Sequence, residues 1–279
     1  MPFTFAHPAA VLPLGRRLWL PGLVAGSLAP DVAYYLPVPG GELTHEPLGL
    51  VTLDLLLGLA LVVAGHGVLG PALALGPAGL RDRVPRPAVR VRWPGAVVAI
   101  VVGAATHLLW DAFTHTAGFM VRHWPLLRVP VAGPHRVYNV VGYVSSVLGL
   151  VVLGMAATRW YRRTPRAGRA WPVLSRAIRA VVFAGLGVGL VAGALLGLTD
   201  PVSRVSGYDW VRCLLLGAVR GCALAATAYV LAWSVASRTQ RVGSRTQTVG
   251  SRTQRVGSRT QAVGSRTDSP GTRADSPGT

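Results

Sequence analysis

The sequence predicts an all-α fold: a polytopic integral membrane helix bundle of five to six spans, followed by a disordered C-terminal tail. Three observations predict it. Only 14% of the 279 residues are charged, against roughly 25% in soluble proteins, while hydrophobic residues make up 51% and mean hydropathy is +0.45. The apolar residues are gathered into runs that approach the ~20 residues a bilayer crossing needs. Most Arg residues lie in short blocks between those runs. A net charge of +18 therefore does not describe a soluble nucleic-acid binder, whose charge sits on a polar surface. The bilayer is the expected partner, and no nucleic acid is.

Three regions follow in chain order. Residues 1–46 form an N-terminal motif segment, 47–236 the membrane helix bundle, and 237–279 an Arg-rich tail of seven-residue repeats. The five firm spans are 47–65, 95–113, 137–157, 180–199 and 210–236. A sixth apolar stretch, 18–36, is interrupted by Pro21, Pro30 and Asp31. It reads as a short span, a re-entrant piece or a pair of short helices. Cys213 and Cys222 lie in an apolar run and read as small packing residues, not as a disulfide framework.

Arginine counts orient the spans. Successive segments outside them carry 2, 5, 3, 7, 1 and 8 Arg, an alternation that matches five crossings. By the positive-inside rule the Arg-rich loops 66–94 and 158–179 and the tail are cytoplasmic, and 37–46 and 114–136 face outward. A bacterial cytoplasmic (inner) membrane is the expected location. The tail repeats SRTQRVG and its variants, with one Val and one Gly per unit. No a/d seam exists, so a coiled coil is excluded and disorder is expected.

The stretch that can carry chemistry is His107-Leu-Leu-Trp-Asp111-Ala-Phe-Thr-His115. Spacing i, i+4, i+8 puts the three polar side chains on one helix face. Imidazole and carboxylate in that relation can ligate a divalent ion, zinc or manganese. They can equally bond each other or neighbouring helices as a structural knot. His45 and Glu46 precede the first firm span, Asp31 precedes the same outer segment, and His7 lies near the N-terminus. His45, His107, Asp111 and His115 are expected at one membrane face, with His7 and Asp31 as additions.

The order MPFTFAHPAAVLPL, GSLAPDVAYYL, TH before LDLLLGL, THLLWDAFTHTAG and YNVVGYVSSVLGL resembles the bacterial membrane proteins of the domain of unknown function (DUF) 4184 family over residues 1–157. That family is similar, more distantly, to inner-membrane metal-dependent hydrolases of the LexA-binding type. The resemblance implies His7, Asp31, His45, His107 and Asp111 as metal ligands, with His115 less well matched. Glu46 stands where the pattern has Ser, and Gly142 stands where it has Gln before the Ser145-Ser146 pair. Asp31, Asp111 or Glu46 is expected to serve as the base.

Asp54 lies inside the first apolar run and Arg220 inside the last. Asp54 and Arg220, placed at depths of about 10 and 15 Å by counting residues at their helical rise, are expected to form a structural ion pair joining the first span to the last. His66, His123 and His135 read as interfacial polar groups. Trp124, Trp160, Trp171 and Trp210 read as an aromatic belt. Gly185, Gly187, Gly189, Gly193 and Gly197 read as a small-residue packing face. No phosphate-binding loop, dinucleotide fingerprint or serine nucleophile elbow is present. Two functions remain: a membrane metal-dependent hydrolase acting at the outer interface, on a lipid-linked ester or phosphoester, or a non-enzymatic membrane protein in which the cluster is structural. A transporter is a weaker third, because spans from 137 to 199 offer little polar lining beyond Ser145 and Ser146.

Overall fold

The computed structural model describes residues 3–85, 93–166 and 171–264, with side chains described as far as Thr239. Pro2 of the N-terminal motif, Arg86, Arg90, Arg92, Arg169 and the tail beyond Gly264 lie outside the described residues. Helices follow in the order α1 (Pro8–Val11), α2 (Leu20–Leu28), α3 (Val32–Tyr35), α4 (Leu53–Leu75), α5 (Ala78–Arg81), α6 (Trp93–Thr114), α7 (Phe119–His123), α8 (Val137–Arg163), α9 (Arg176–Gly197) and α10 (Gly207–Gly264). The only strands among the described residues are Pro130–Ala132 and His135–Arg136, an antiparallel pair turned at Gly133, which has φ +53°.

Among the described residues, five helical segments are long and apolar enough to cross a membrane: Leu53–Leu75, Trp93–His123, Val137–Arg163, Arg176–Gly197 and Gly207–Thr239. The protein is a multi-pass membrane helix bundle. Large apolar side chains such as Val147, Val181, Val188 and Leu224 are exposed, which suits helices whose outer faces meet lipid.

The stretch 18–36 makes no long helix. It divides into α2, a 3-10 turn at Ala29–Asp31 and α3. Pro30 supplies no N–H to continue the helical ladder, and the nine residues of α2 reach only about 14 Å at helical rise. The first span also begins later than its apolar run. Gly41–His45 and Gly49–Val51 fold into 3-10 turns, so α4 starts at Leu53 and runs past Gly65 and through Pro71 to Leu75. Helices α8 and α9 start on side-chain caps: Asn139 Oδ1 accepts from the Arg136 N–H at 2.9 Å, and Ser175 Oγ from the Ile178 N–H at 3.3 Å. Ser206 Oγ similarly accepts from the Asp209 N–H at 3.1 Å as α10 begins.

Close helix approach rests on glycine. Along the α2–α6 contact, a Cβ at Gly26 would run into the Ile100 carbonyl, and one at Gly103 would stand 2.9 Å from the Ser27 nitrogen. Val11, Leu23 and Ala99 form one buried cluster at this seam, and Ala25, Val62 and Ile100 another. Gly189, Gly193 and Gly197 of α9 meet the backbone of α10 at Cys213, Gly217 and Gly221, whereas Gly185 and Gly187 have open space beside them. Three of the five glycines of the small-residue face thus make the helix contact. Gly193→Val is expected to lower detergent-solubilised stability by about 1–3 kcal/mol, read as an earlier thermal melt. Gly185→Val is expected to melt with the wild type.

Helical backbone continues through the repeats to Gly264, so the seven-residue unit does not of itself break the helix. Pro270 is the first proline beyond that point.

Candidate metal centre

The polar centre is assembled from four elements. His107 and Asp111 stand one turn apart on α6, roughly 10 and 5 Å from its C-terminal end by helical rise. Asp31 closes the 3-10 turn between α2 and α3, His45 ends the first of the two 3-10 turns before α4, and His7 immediately precedes α1. Asp31, His45, His107 and Asp111 each offer one ligand atom within 4.8 Å of the others. His107 is 0% exposed, His7 2%, Asp31 3% and Asp111 6%. Such burial of ionisable groups is costly unless something compensates them.

The contacts share one pattern. Nε2 of His107 lies 3.6 Å from Asp31 Oδ1 and 3.5 Å from Asp111 Oδ2. Nε2 of His45 lies 3.6 Å from Asp31 Oδ1 and 3.7 Å from Asp111 Oδ2. Nε2 of His7 lies 3.4 Å from the other Asp111 oxygen, Oδ1, while its ring stacks on that of His107 at 3.9 Å. Asp111 therefore presents one oxygen to the four-residue group and the other to His7.

The opposite ring nitrogens settle the tautomers. His107 Nδ1 is 2.9 Å from the Ser27 carbonyl and His7 Nδ1 is 3.2 Å from the Thr4 carbonyl. A carbonyl only accepts, so both Nδ1 atoms donate. His45 Nδ1 is 3.1 Å from Thr44 Oγ1, whose single proton goes to the Gly41 carbonyl at 2.8 Å. His45 Nδ1 must donate as well. In their neutral forms all three histidines therefore turn a bare Nε2 lone pair toward two carboxylates. None of those Nε2 atoms, nor Asp31 Oδ1 or Asp111 Oδ1, has a hydrogen-bond partner among the described residues.

Packing enforces this arrangement. Gly103 lies one turn before His107 and admits the α2 backbone at Leu23 and Ser27, which brings the Ser27 carbonyl to the imidazole. Ser146 of α8 accepts the Phe3 N–H at 2.9 Å, and Ser145 accepts from Trp110 Nε1 at 3.1 Å. The Ser-Ser pair thus anchors the segment that carries His7 and the helix that carries Asp111. Gly142 lies against Thr114 and accepts from both serine hydroxyls through its carbonyl.

Outside the spans, two groups respond to the centre. Burial raises the Asp31 carboxyl, but where the histidines carry their second proton a hydrogen bond from His45, the His107 charge, the Thr4 hydroxyl and the His7 charge together outweigh it and hold it below the usual carboxylate range. Burial, then the nearby carboxylates Asp31 and Asp111, push the Tyr34 phenol up to about 12. Tyr34 therefore stays a protonated donor, with its ring edge-on to His45 at 5.6 Å. Tyrosines 34 and 35 were not singled out by motif reasoning. Their position directly after the Pro30-Asp31 turn is the signal that marks them.

Other expected residues fall elsewhere. His115 stands outside the four-residue group, although its ring is 6.1 Å from that of His45. Its Nδ1 accepts the Ala117 N–H at 3.2 Å, so the neutral ring carries its proton on Nε2, the reverse of the other three. Glu46 is exposed and is not in the group. His66 and His123 bond carbonyls of their own helices, and His135 contacts Tyr143.

The expected Asp54–Arg220 pair does not form. Arg220 Nε donates to the Tyr35 carbonyl at 3.0 Å and Nη2 reaches that of Tyr34 at 3.5 Å, where α3 ends with free carbonyls. Asp54 is 0% exposed and both its carboxyl oxygens lack hydrogen-bond partners among the described residues. The depths explain the miss. Asp54 is the second residue of α4, whereas Arg220 lies thirteen residues into α10, or about 20 Å at helical rise.

Comparison with protein-family models matches residues 1–231 to a Domain of unknown function (DUF4184). No curated protein matches the chain. No solved structure does either.

Proposed function

Taking as its premise that the chain belongs to the DUF4184 family, we propose that it is a metal-dependent hydrolase embedded in the membrane, with His7, Asp31, His45, His107 and Asp111 holding a divalent ion. One observation carries the reading: three imidazoles, those of His7 and His107 buried and that of His45 half-buried, each with Nδ1 committed as a donor, aim unpartnered Nε2 lone pairs at two buried carboxylates. Lone pairs facing anions repel, and a cation between them reverses the sign of every contact. Donor atoms about 2.0–2.2 Å from a shared ion stand about 3–3.5 Å apart, near the 3.4–3.7 Å separations here. A mixed nitrogen and oxygen set suits zinc or manganese.

When bound, such an ion supplies Lewis-acid chemistry, polarising a carbonyl or phosphoryl oxygen and acidifying water. The chain's own residues prepare the site. The Ser27 and Thr4 carbonyls and the Thr44 hydroxyl fix the imidazole tautomers and raise their basicity as ligands. Tyr34 remains a proton donor beside His45. Asp31 and Asp111 face histidine nitrogens, so of the three expected bases the exposed Glu46 is the one outside the ligand set. An ester or phosphoester of a lipid is the substrate class that reaches this depth. The alternation of Arg-rich loops supports a centre at the outer face of a bacterial inner membrane, with the tail in the cytoplasm.

Thr44→Val tests the supporting role of the hydroxyl. It is expected to weaken zinc binding about 10–100-fold, measured by competition with a chelator, with little change in the far-ultraviolet helical signal. Unchanged affinity contradicts the assignment.

The closed structural site is the second reading, and one observation favours it: four protein ligand atoms already lie together, three of their residues buried, as in sites with no open position. Water exchange separates the two. A manganese-loaded protein that relaxes solvent protons has an open position, and one that does not is structural.

A further inference from the structure

A cavity of about 810 Å³ lies beside the metal centre, bordered by Thr4, Tyr34, Val147, Leu150, Arg212 and Leu216 among others. Its size falls within the about 300–1,000 Å³ of small-molecule sites. Its inner wall is one residue from the proposed ligands. The Thr4 carbonyl accepts from His7 and the Thr4 hydroxyl meets Tyr35 Oη at 3.0 Å, while the Tyr34 ring lies against His45.

Along α10 the lining runs from polar at Tyr208, Asp209 and Arg212 to apolar at Leu216. Consecutive spans alternate direction, so α8 and α10 begin at the membrane face on which α6 ends. Tyr208, Asp209 and Arg212 lie in the first two turns of α10. Val147, Leu150 and Leu216 lie deeper, about 14–20 Å from the helix starts by helical rise. Arg212 is 46% exposed and meets Asp209 Oδ1 only through Nε, at 3.5 Å. Its two terminal nitrogens make no hydrogen bond among the described residues, and a planar guanidinium with free donors matches a phosphate.

We propose that this cavity binds a membrane lipid whose head carries a phosphate ester, with the head between Arg212, Tyr34 and the metal centre and the tail along Val147, Leu150 and Leu216. The inference rests on the hydrolase reading and names the substrate class of that site. The tail enters sideways from the bilayer between α8 and α10, so the lipid never leaves the apolar phase to reach the centre. A water-soluble phosphoester lacks the tail contacts and binds weakly.

The test uses the full chain in dodecyl maltoside micelles, which carry no phosphate, with radiolabelled hexadecyl phosphate and hexadecanol as probes and metal content measured on every sample. The wild type is expected to bind hexadecyl phosphate at least about tenfold more tightly than hexadecanol, a difference of about 1.4 kcal/mol. Arg212→Gln is expected to remove most of that preference. Val147→Trp, on an exposed helix face where the larger ring is tolerated, is expected to weaken both probes while leaving the metal in place. If both variants bind the two probes as the wild type does, the cavity assignment is overturned even where metal is present. Variant-sensitive lipid binding in a chain that takes up no metal supports the cavity and overturns the hydrolase reading. Equal wild-type affinity for phosphate and alcohol overturns the phosphate head.

Discussion

Asp111→Asn is expected to reduce divalent-ion affinity by more than about 100-fold, beyond the about 10–100-fold typical of losing a supporting residue. Asp111 is the carboxylate that faces all three histidine Nε2 atoms, with one oxygen toward His45 and His107 and the other toward His7. The substitution preserves shape and removes charge. It also carries a second readout of opposite sign. Without an ion, Asp31 and Asp111 are two buried carboxylates that meet the same His45 and His107 nitrogens, so removing one relieves repulsion. In excess chelator the variant is expected to melt at or above the wild type. With zinc present the wild type is expected to melt higher, because an ion that binds the folded state stabilises it. A variant that melts lower in both conditions points to a hydrogen-bonded structural knot instead.

Gly26→Val is expected to have the largest effect on folding, about 3 kcal/mol or more. A Cβ there would run into the carbonyl of Ile100, which is helix backbone and cannot rotate away as a side chain can. Helix α2 must then move off α6, and the Ser27 carbonyl with it. Since that carbonyl holds His107 Nδ1 at 2.9 Å, the variant is expected to lose metal as well as thermal stability. Gly65→Val provides the control. Nothing lies within 4 Å of a Cβ at Gly65, so both properties are expected to match the wild type. Loss of stability with metal affinity retained would uncouple the helix seam from the centre.

The bundle was legible in the sequence because the bilayer imposes a length on every crossing, and each of the five apolar runs overlaps a long helix. The ends were less legible. Residues 47–52 are largely apolar and read as span, yet Gly49–Val51 folds as a 3-10 turn. That shift is also why Asp54 seemed deep. Depth counting ranks residues along the membrane normal and says nothing about which way each helix faces, so it could not reveal that Arg220 turns to the Tyr34 and Tyr35 carbonyls.

At the centre, the four-residue spacing of His107 and Asp111 and the dispersed His7, Asp31 and His45 could be read from the chain. The tautomers could not. They depend on the carbonyls of Ser27 and Thr4, groups that every residue has and no motif records. The separation of His115 from the other histidines was hidden for the same reason: a backbone N–H at Ala117 occupies the ring nitrogen that the others use as a donor. Tyr34 and Arg212 were hidden because the cavity they border forms only when α3, α8 and α10 come together.

The central claim is that the buried His/Asp group is a cation site, and metal content tests it most directly. The full chain, purified in detergent without chelator and briefly re-exposed to zinc and manganese, is measured by elemental mass spectrometry beside His107→Ala, with helical content confirmed for both. The account predicts about one ion per wild-type chain and close to none in the variant. A folded wild type that holds no ion after re-exposure, or a His107→Ala protein that holds as much as the wild type, contradicts it.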